Sequence, residues 1–254
     1  MPLVAAWLDK GALAAARRAL RPAGVRLVRV ATAERLVAAA RTRLLEAVLV
    51  TPDAARLDPC AAFARDFPAV PLVAFHPFRP DDGQLALRCR EVPMALVVEG
   101  VDDAVLAVRL EALGGTARRV ALLGAAPALL GLVSPLQAAA WAIVVREVAT
   151  PLRSAELAER LGVSRGHLSR AFAAGGAPNL KRVVDLARIA TAADVLRSPG
   201  LQATDAVRLF GFASAHHFRQ TALRISGVEP GELAGIGPIG VLDRFRRGRG
   251  RSRV

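Results

Sequence analysis

Two short stretches of this 254-residue sequence carry polar side chains in a pattern suited to reading the edges of bases. In Arg165–Phe172, Leu168 and Phe172 stand four apart, so at about 100° per residue they mark one buried helical face and leave Gly166, Ser169 and Arg170 opposite. The planar fork of Arg170 matches guanine O6 and N7 in a major groove, Ser169 can bond a base edge or a phosphate, and Arg165 in the first turn is better placed for phosphate. In Ala215–Arg224 the inward pair is Phe218 and Ala222. His216, Arg219 and Gln220 then face outward, Gln220 being suited to adenine N6 and N7, and Arg224 completes the candidate set. His217 lies on a flank. A zinc site at His216 and His217 fails, because adjacent helical residues diverge and no third ligand is near.

Other chemistry is poorly supplied. No nucleophile–base pair, metal cluster or glycine-rich phosphate loop is present, so neither an enzyme nor a cofactor is expected. Two cysteines, Cys60 and Cys89, build neither a disulfide framework nor a four-thiolate zinc site and read as small buried hydrophobes. A reducing cytoplasm fits this usage.

The candidate side chains need elements that hold them out, and both stretches have the same ones. In Ser154–Phe172 an apolar helix containing Leu157, Ala158 and Leu161 ends at Gly162, which permits a tight turn, and Ser164 caps the next helix. Ala203–Leu223, 49 residues further on, repeats the scheme with Ala206, Val207 and Phe210, then Gly211, then Ser214 as the cap. Each is a helix-turn-helix, and a helical stretch from about Leu180 to Leu196 separates them.

The first half is built differently. Five apolar strand-like runs, LVAAWL, VRLVRVA, EAVLV, VPLVAF and MALVVE, each precede an Ala/Leu-rich helical stretch between Val4 and Gly114. That alternation predicts a parallel sheet covered on both faces. The whole chain is therefore expected to be α/β plus all-α, with residues 1–116 as the α/β domain, 117–133 as a linker, 134–235 as the helical domain and 236–254 as an Arg-rich tail.

Charge follows the same division. Residues 1–116 hold 15 basic and 13 acidic side chains, whereas residues 117–254 hold 20 and 9. The basic half points to a polyanion. Val120–Val145 is 26 residues without a charge, long enough to span a bilayer, but Gly124, Pro127, Gly131 and Pro135 interrupt it. Ser134-Pro135-Leu136-Gln137 reads as a helix start in mid-run, giving a connector and then a buried helix from about Pro135 to Val148, with no membrane partner. The stretch VLDRFRRGRGRSRV at Val241–Val254 has six Arg, and its glycines argue for an unstructured arm that adds phosphate contacts.

Residues Ser134 to Leu233 resemble the DNA-binding domain of AraC/XylS transcription regulators, carried by LGVSRGHLSRAF, by LARIATAADVL as linker helix, and by FGFASAHHFRQTALRISGVEPGEL. Ala222 departs from the family's aromatic at that place. The resemblance implies binding to double-stranded promoter DNA, RNA polymerase as a partner, and an activating or repressing role. The first half resembles a response-regulator receiver domain of flavodoxin-like topology, in which chemistry would sit at the carboxyl ends of the strands. There Asp9 is followed by Lys10 where an acidic pair is wanted, Thr51 stands at the nucleophile's place with Asp53 two residues late, His76 replaces Ser/Thr and Glu99 replaces Lys. The resemblance thus implies a degenerate receiver, used for pairing as a homodimer or for sensing something else. A phosphorylation-dependent regulator and a non-specific nucleic-acid binder are the alternatives.

Overall fold

The computed structural model describes residues 2–150, 152–173 and 177–248. The chain divides into two compact units, Met1–Arg118 with Ser198–Leu201 and Arg119–Arg197 with Gln202–Val254.

In the first unit the five apolar runs become β1 (Leu3–Trp7), β2 (Arg26–Arg29), β3 (Ala47–Val50), β4 (Leu72–His76) and β5 (Met94–Val98). They form one parallel sheet in the order β2-β1-β3-β4-β5, a flavodoxin-like doubly wound arrangement, with Ala5 registered between Val28 and Val48. The crossovers are α1 (Lys10–Leu20), α2 (Ala33–Thr42), α3 (Ala54–Asp66) and α4 (Gly83–Glu91), and α5 (Leu106–Leu113) follows β5. The two-residue side-chain period of a strand sorts the core into two layers. Leu3, Ala5, Trp7, Val48, Val50, Leu72 and Ala74 pack with Leu36, Leu57, Phe63 and Phe67 from α2, α3 and the residue after α3. Val4, Ala6, Ala47, Leu49, Val73 and Phe75 pack with Leu13, Ala16, Leu20, Leu106 and Leu110 from α1 and α5. β1 and β3 are buried along their whole length, as parallel strands covered on both faces must be. β2, at the sheet edge, keeps Arg26 and Arg29 exposed.

The second unit is all-helical. Residues 117–133, expected as a connector, are mostly helical, in α6 (Gly115–Leu123) and α7 (Ala126–Leu130). α8 (Pro135–Arg146) starts where the sequence placed it: Ser134 Oγ accepts from the Gln137 N–H, and Gln137 Oε1 accepts from the Ser134 N–H. Gln137 is buried, and its Nε2 donates to the Ala171 carbonyl. The remaining helices are α9 (Ser154–Arg160), α10 (Arg165–Ala173), α11 (Leu180–Val195), α12 (Ala203–Leu209), α13 (Ala215–Ser226) and α14 (Leu233–Gly248). Every residue of α11 from Asp185 to Val195 is buried, which makes it the central helix, and α8, α13 and α14 pack against it.

The arm expected from Val241 onward is corrected for the residues described. α14 runs to Gly248, with Val241, Leu242 and Phe245 buried and the Arg182 guanidinium 4.9 Å from the Phe245 ring centre. Its backbone breaks at Gly237, whose φ of 62° precedes Pro238; a residue before proline is pushed out of the right-handed helical region, and glycine takes the positive φ without a Cβ clash. Arg249–Val254 lie outside the described residues. No described helix is long and apolar enough to cross a membrane.

Candidate nucleic-acid interface

Each candidate reading helix begins on a serine cap after a left-handed glycine. Gly162 has φ 66° and Ser164 Oγ accepts from the His167 N–H at 3.1 Å; Gly211 has φ 59° and Ser214 Oγ accepts from the His217 N–H at 3.0 Å. The buried pairs are as the spacing requires, since Leu168, Phe172, Phe218 and Ala222 are all buried. Ala222, small where an aromatic is usual, is fully enclosed, with Phe212 and Phe218 packed beside each other at 5.0 Å between ring centres.

The outward set divides by pairing. Arg165, Gly166, Ser169, Arg170, His216, Arg219, Gln220 and Arg224 are all exposed. Among the described residues Arg165 and Arg170 have no carboxylate partner, so their donors are free for a ligand. Arg219 is held instead by Glu229, its Nε donating to Oε2 at 2.8 Å and its Nη2 to Oε1, and this pairing raises its pKa. Arg224 Nη2 donates to Asp185 Oδ2 at 2.6 Å. His217 meets the edge of the Phe212 ring. No three His, Cys, Asp or Glu side chains come together as a metal site among the described residues.

A cleft of about 680 Å³ opens in the same unit, lined by Arg165 and Ser169 of α10, His217 of α13 and the start of α11. Sequence reasoning does not single out Arg153, Lys181 or Arg188, which also line it, because they lie outside the two candidate helices. The one available signal is that Arg188 is a charge inside a run of Leu, Ala and Ile.

At the strand ends of the first unit, Asp9, Thr51 and Asp53 meet around an arginine. Arg56 Nη2 lies 2.7 Å from Asp9 Oδ1, its Nε 3.3 Å from Asp53 Oδ2, and its Nη1 donates to the Thr51 carbonyl at 2.7 Å. Asp53 also caps α3, accepting from the Arg56 N–H at 2.8 Å, and Thr51 Oγ1 accepts from the Asp9 N–H. His76 Nε2 sits 3.2 Å from Asp82 Oδ2 with the Phe78 ring edge-on. Burial, then Asp103, raises the Glu99 carboxyl pKa. Both cysteines are buried; burial, then Cys89, pushes the Cys60 thiol up to about 12.

Residues 157–235 match the family model of a helix-turn-helix domain. The match supports a DNA-binding transcription regulator and agrees with the resemblance to AraC/XylS regulators. Neither a curated protein nor a solved structure matches the chain.

Proposed function

We propose that the chain is a sequence-specific transcription regulator that reads two successive major-groove elements of promoter DNA, one with α10 and one with α13. The observation that carries this reading is the repetition of one device: glycine turn, serine cap, buried pair and exposed polar face, once before and once after the central buried helix in the sequence. Two such helices in successive groove faces would bind elements about 34 Å apart, one helical turn of DNA. Arg170 and Gln220 are the base readers, Ser169 and His216 their neighbours, Arg165 a phosphate contact, and Gly166 lets the backbone approach. RNA polymerase is the expected partner on the promoter.

The first unit serves as a receiver-like pairing module without phosphoryl chemistry. Arg56 supports this, because it already pairs with both Asp9 and Asp53 where a divalent cation would be needed, and Asp53 is occupied as a helix cap. Intact mass after acetyl phosphate and magnesium is therefore expected to be unchanged; one phosphate adduct removed by Asp53→Asn overturns this part.

Binding fragments selected from random DNA test the main reading. Arg170→Ala or Gln220→Ala should cost about 1–3 kcal/mol on the selected duplex and relax preference at one element only. Equal loss on selected and scrambled duplexes would make the protein a non-specific basic binder.

A further inference from the structure

The cleft beside α10 and α13 has an unbalanced floor. Its one carboxylate is Asp185, 7% exposed, which accepts from Arg224 Nη2 at 2.6 Å while Arg188 Nη1 stands 3.8 Å away on its other oxygen. One negative charge between two guanidiniums leaves a net positive charge of one. Arg188 is the buried member: its side chain is 9% exposed, its guanidinium lies 3.9 Å from the Phe212 ring centre, and its Nη2 donates to the Phe210 carbonyl. Its Nε has no hydrogen-bond partner among the described residues. A guanidinium does not shed its proton to escape such a place, so the surplus charge persists and favours an anion in the space above it.

The rim is cationic as well. Arg153, Arg165 and Lys181 line the cleft, and none has a carboxylate partner among the described residues. Asn179, Leu180 and Lys181, at the N-terminal end of the 16-residue α11, also line it. Asn179 Oδ1 satisfies only the Arg182 N–H, so the first amides of α11 add partial positive charge at the mouth. Leu157, Leu180 and Val184 form apolar walls, which strengthen a charge interaction by excluding water.

The occupant follows from who shares the walls. Arg165 and Ser169 belong to one reading helix and His217 to the other. A strand passing from one major groove to the next runs past the space between those helices and carries a phosphate at every step. We infer that this cleft seats a backbone phosphate of the DNA between the two elements, held by Arg153 and Lys181 over the buried Arg188. The inference rests on the reading of α10 and α13 as groove readers, and adds to it a contact that positions the two helices on the duplex without reading sequence.

The test uses the full chain and the double variant Arg153→Ala/Lys181→Ala, whose side chains have no carboxylate partner among the described residues, so that the fold is kept; circular dichroism and melting check that it is. Binding to the selected duplex is measured over a salt series, and then with single uncharged methylphosphonates placed stepwise between the two elements. The wild type should weaken severalfold at one or two of these positions. The double variant should bind unmodified DNA less well, ignore those same methylphosphonates, keep its base preference at both elements, and lose about 1 from the salt slope per phosphate contact. A wild type indifferent to every intervening methylphosphonate, or a double variant that keeps the wild-type pattern, overturns the inference. So does inorganic phosphate binding in the absence of DNA, lost in the double variant, with silent methylphosphonates, since the site would then serve a free anion. If selected and scrambled duplexes bind alike, the reading of the two helices fails, and the slope on scrambled DNA decides the cleft separately: a shallower slope in the double variant keeps it, an unchanged slope discards it.

Discussion

Glu229 holds Arg219 through two hydrogen bonds on an exposed face, and this pairing separates Arg219 from the otherwise similar Arg170. A guanidinium engaged in this way offers less to DNA than its position on the helical wheel suggests. Glu229→Gln should release it: affinity for the selected duplex rises and the salt slope steepens by about 1, measured by titration at several salt concentrations. No change in either would make Arg219 a strut between α13 and the turn after it. Neither partner was legible together in the sequence, since the wheel of one helix says nothing about a carboxylate ten residues on. What was legible was the face itself, because Phe218 and Ala222 had to go inward. Cys60 gives a second expectation at this scale. Burial and Cys89 push its thiol from an ordinary value near 9 to about 12. An unfolded chain loses that proton at lower pH than the folded one, so stability falls as pH rises from about 9 towards 12. At about pH 8 the native protein should resist iodoacetamide at Cys60 and take one label there only after denaturation, read by mass spectrometry.

Among the elements, the strands and the paired helix-turn-helix units were readable because each obeys one strong rule. Five- to seven-residue, mainly apolar runs alternating with Ala-rich stretches suit buried parallel strands, and a glycine followed by a capping serine marks where α10 and α13 begin. α14 was not readable, since Gly248 and Gly250 outweighed a short inward face at Val241, Leu242 and Phe245. Propensity lost to packing there: α11 offers those three side chains a surface, and Arg182 covers the Phe245 ring. Phe245→Ala should accordingly cost about 3–5 kcal/mol in denaturant unfolding, where an unstructured arm would cost nothing. The same fact governs any deletion of the basic end. A cut before Arg244 removes Phe245 and weakens the fold along with the charge, so the arginine contribution is measured cleanly only by ending the chain at Gly248.

For the molecule as a whole, charge and architecture divide together: the sheet unit is nearly neutral while the helical unit carries the excess of arginine. A regulator that meets two DNA elements with one chain and pairs through its first unit should scatter light as a dimer at micromolar concentration, the mass halving on dilution. A monomer at every accessible concentration removes the pairing role. The fold also has to stay soluble while it does this, and the sheet edge shows how. β2 ends the sheet with one strand neighbour among the described residues, and the apolar run between Val25 and Val30 is interrupted at Arg26 and Arg29, both exposed. An uncovered edge strand invites another copy to add on by backbone hydrogen bonds, and two outward arginines make that approach repulsive. Arg26→Val/Arg29→Val would convert the segment to six consecutive aliphatic residues at an open edge, the composition of an amyloid-forming stretch. The arginines of this strand thus guard against fibril growth, and their loss should appear as thioflavin-positive aggregate on standing rather than as any defect in DNA binding.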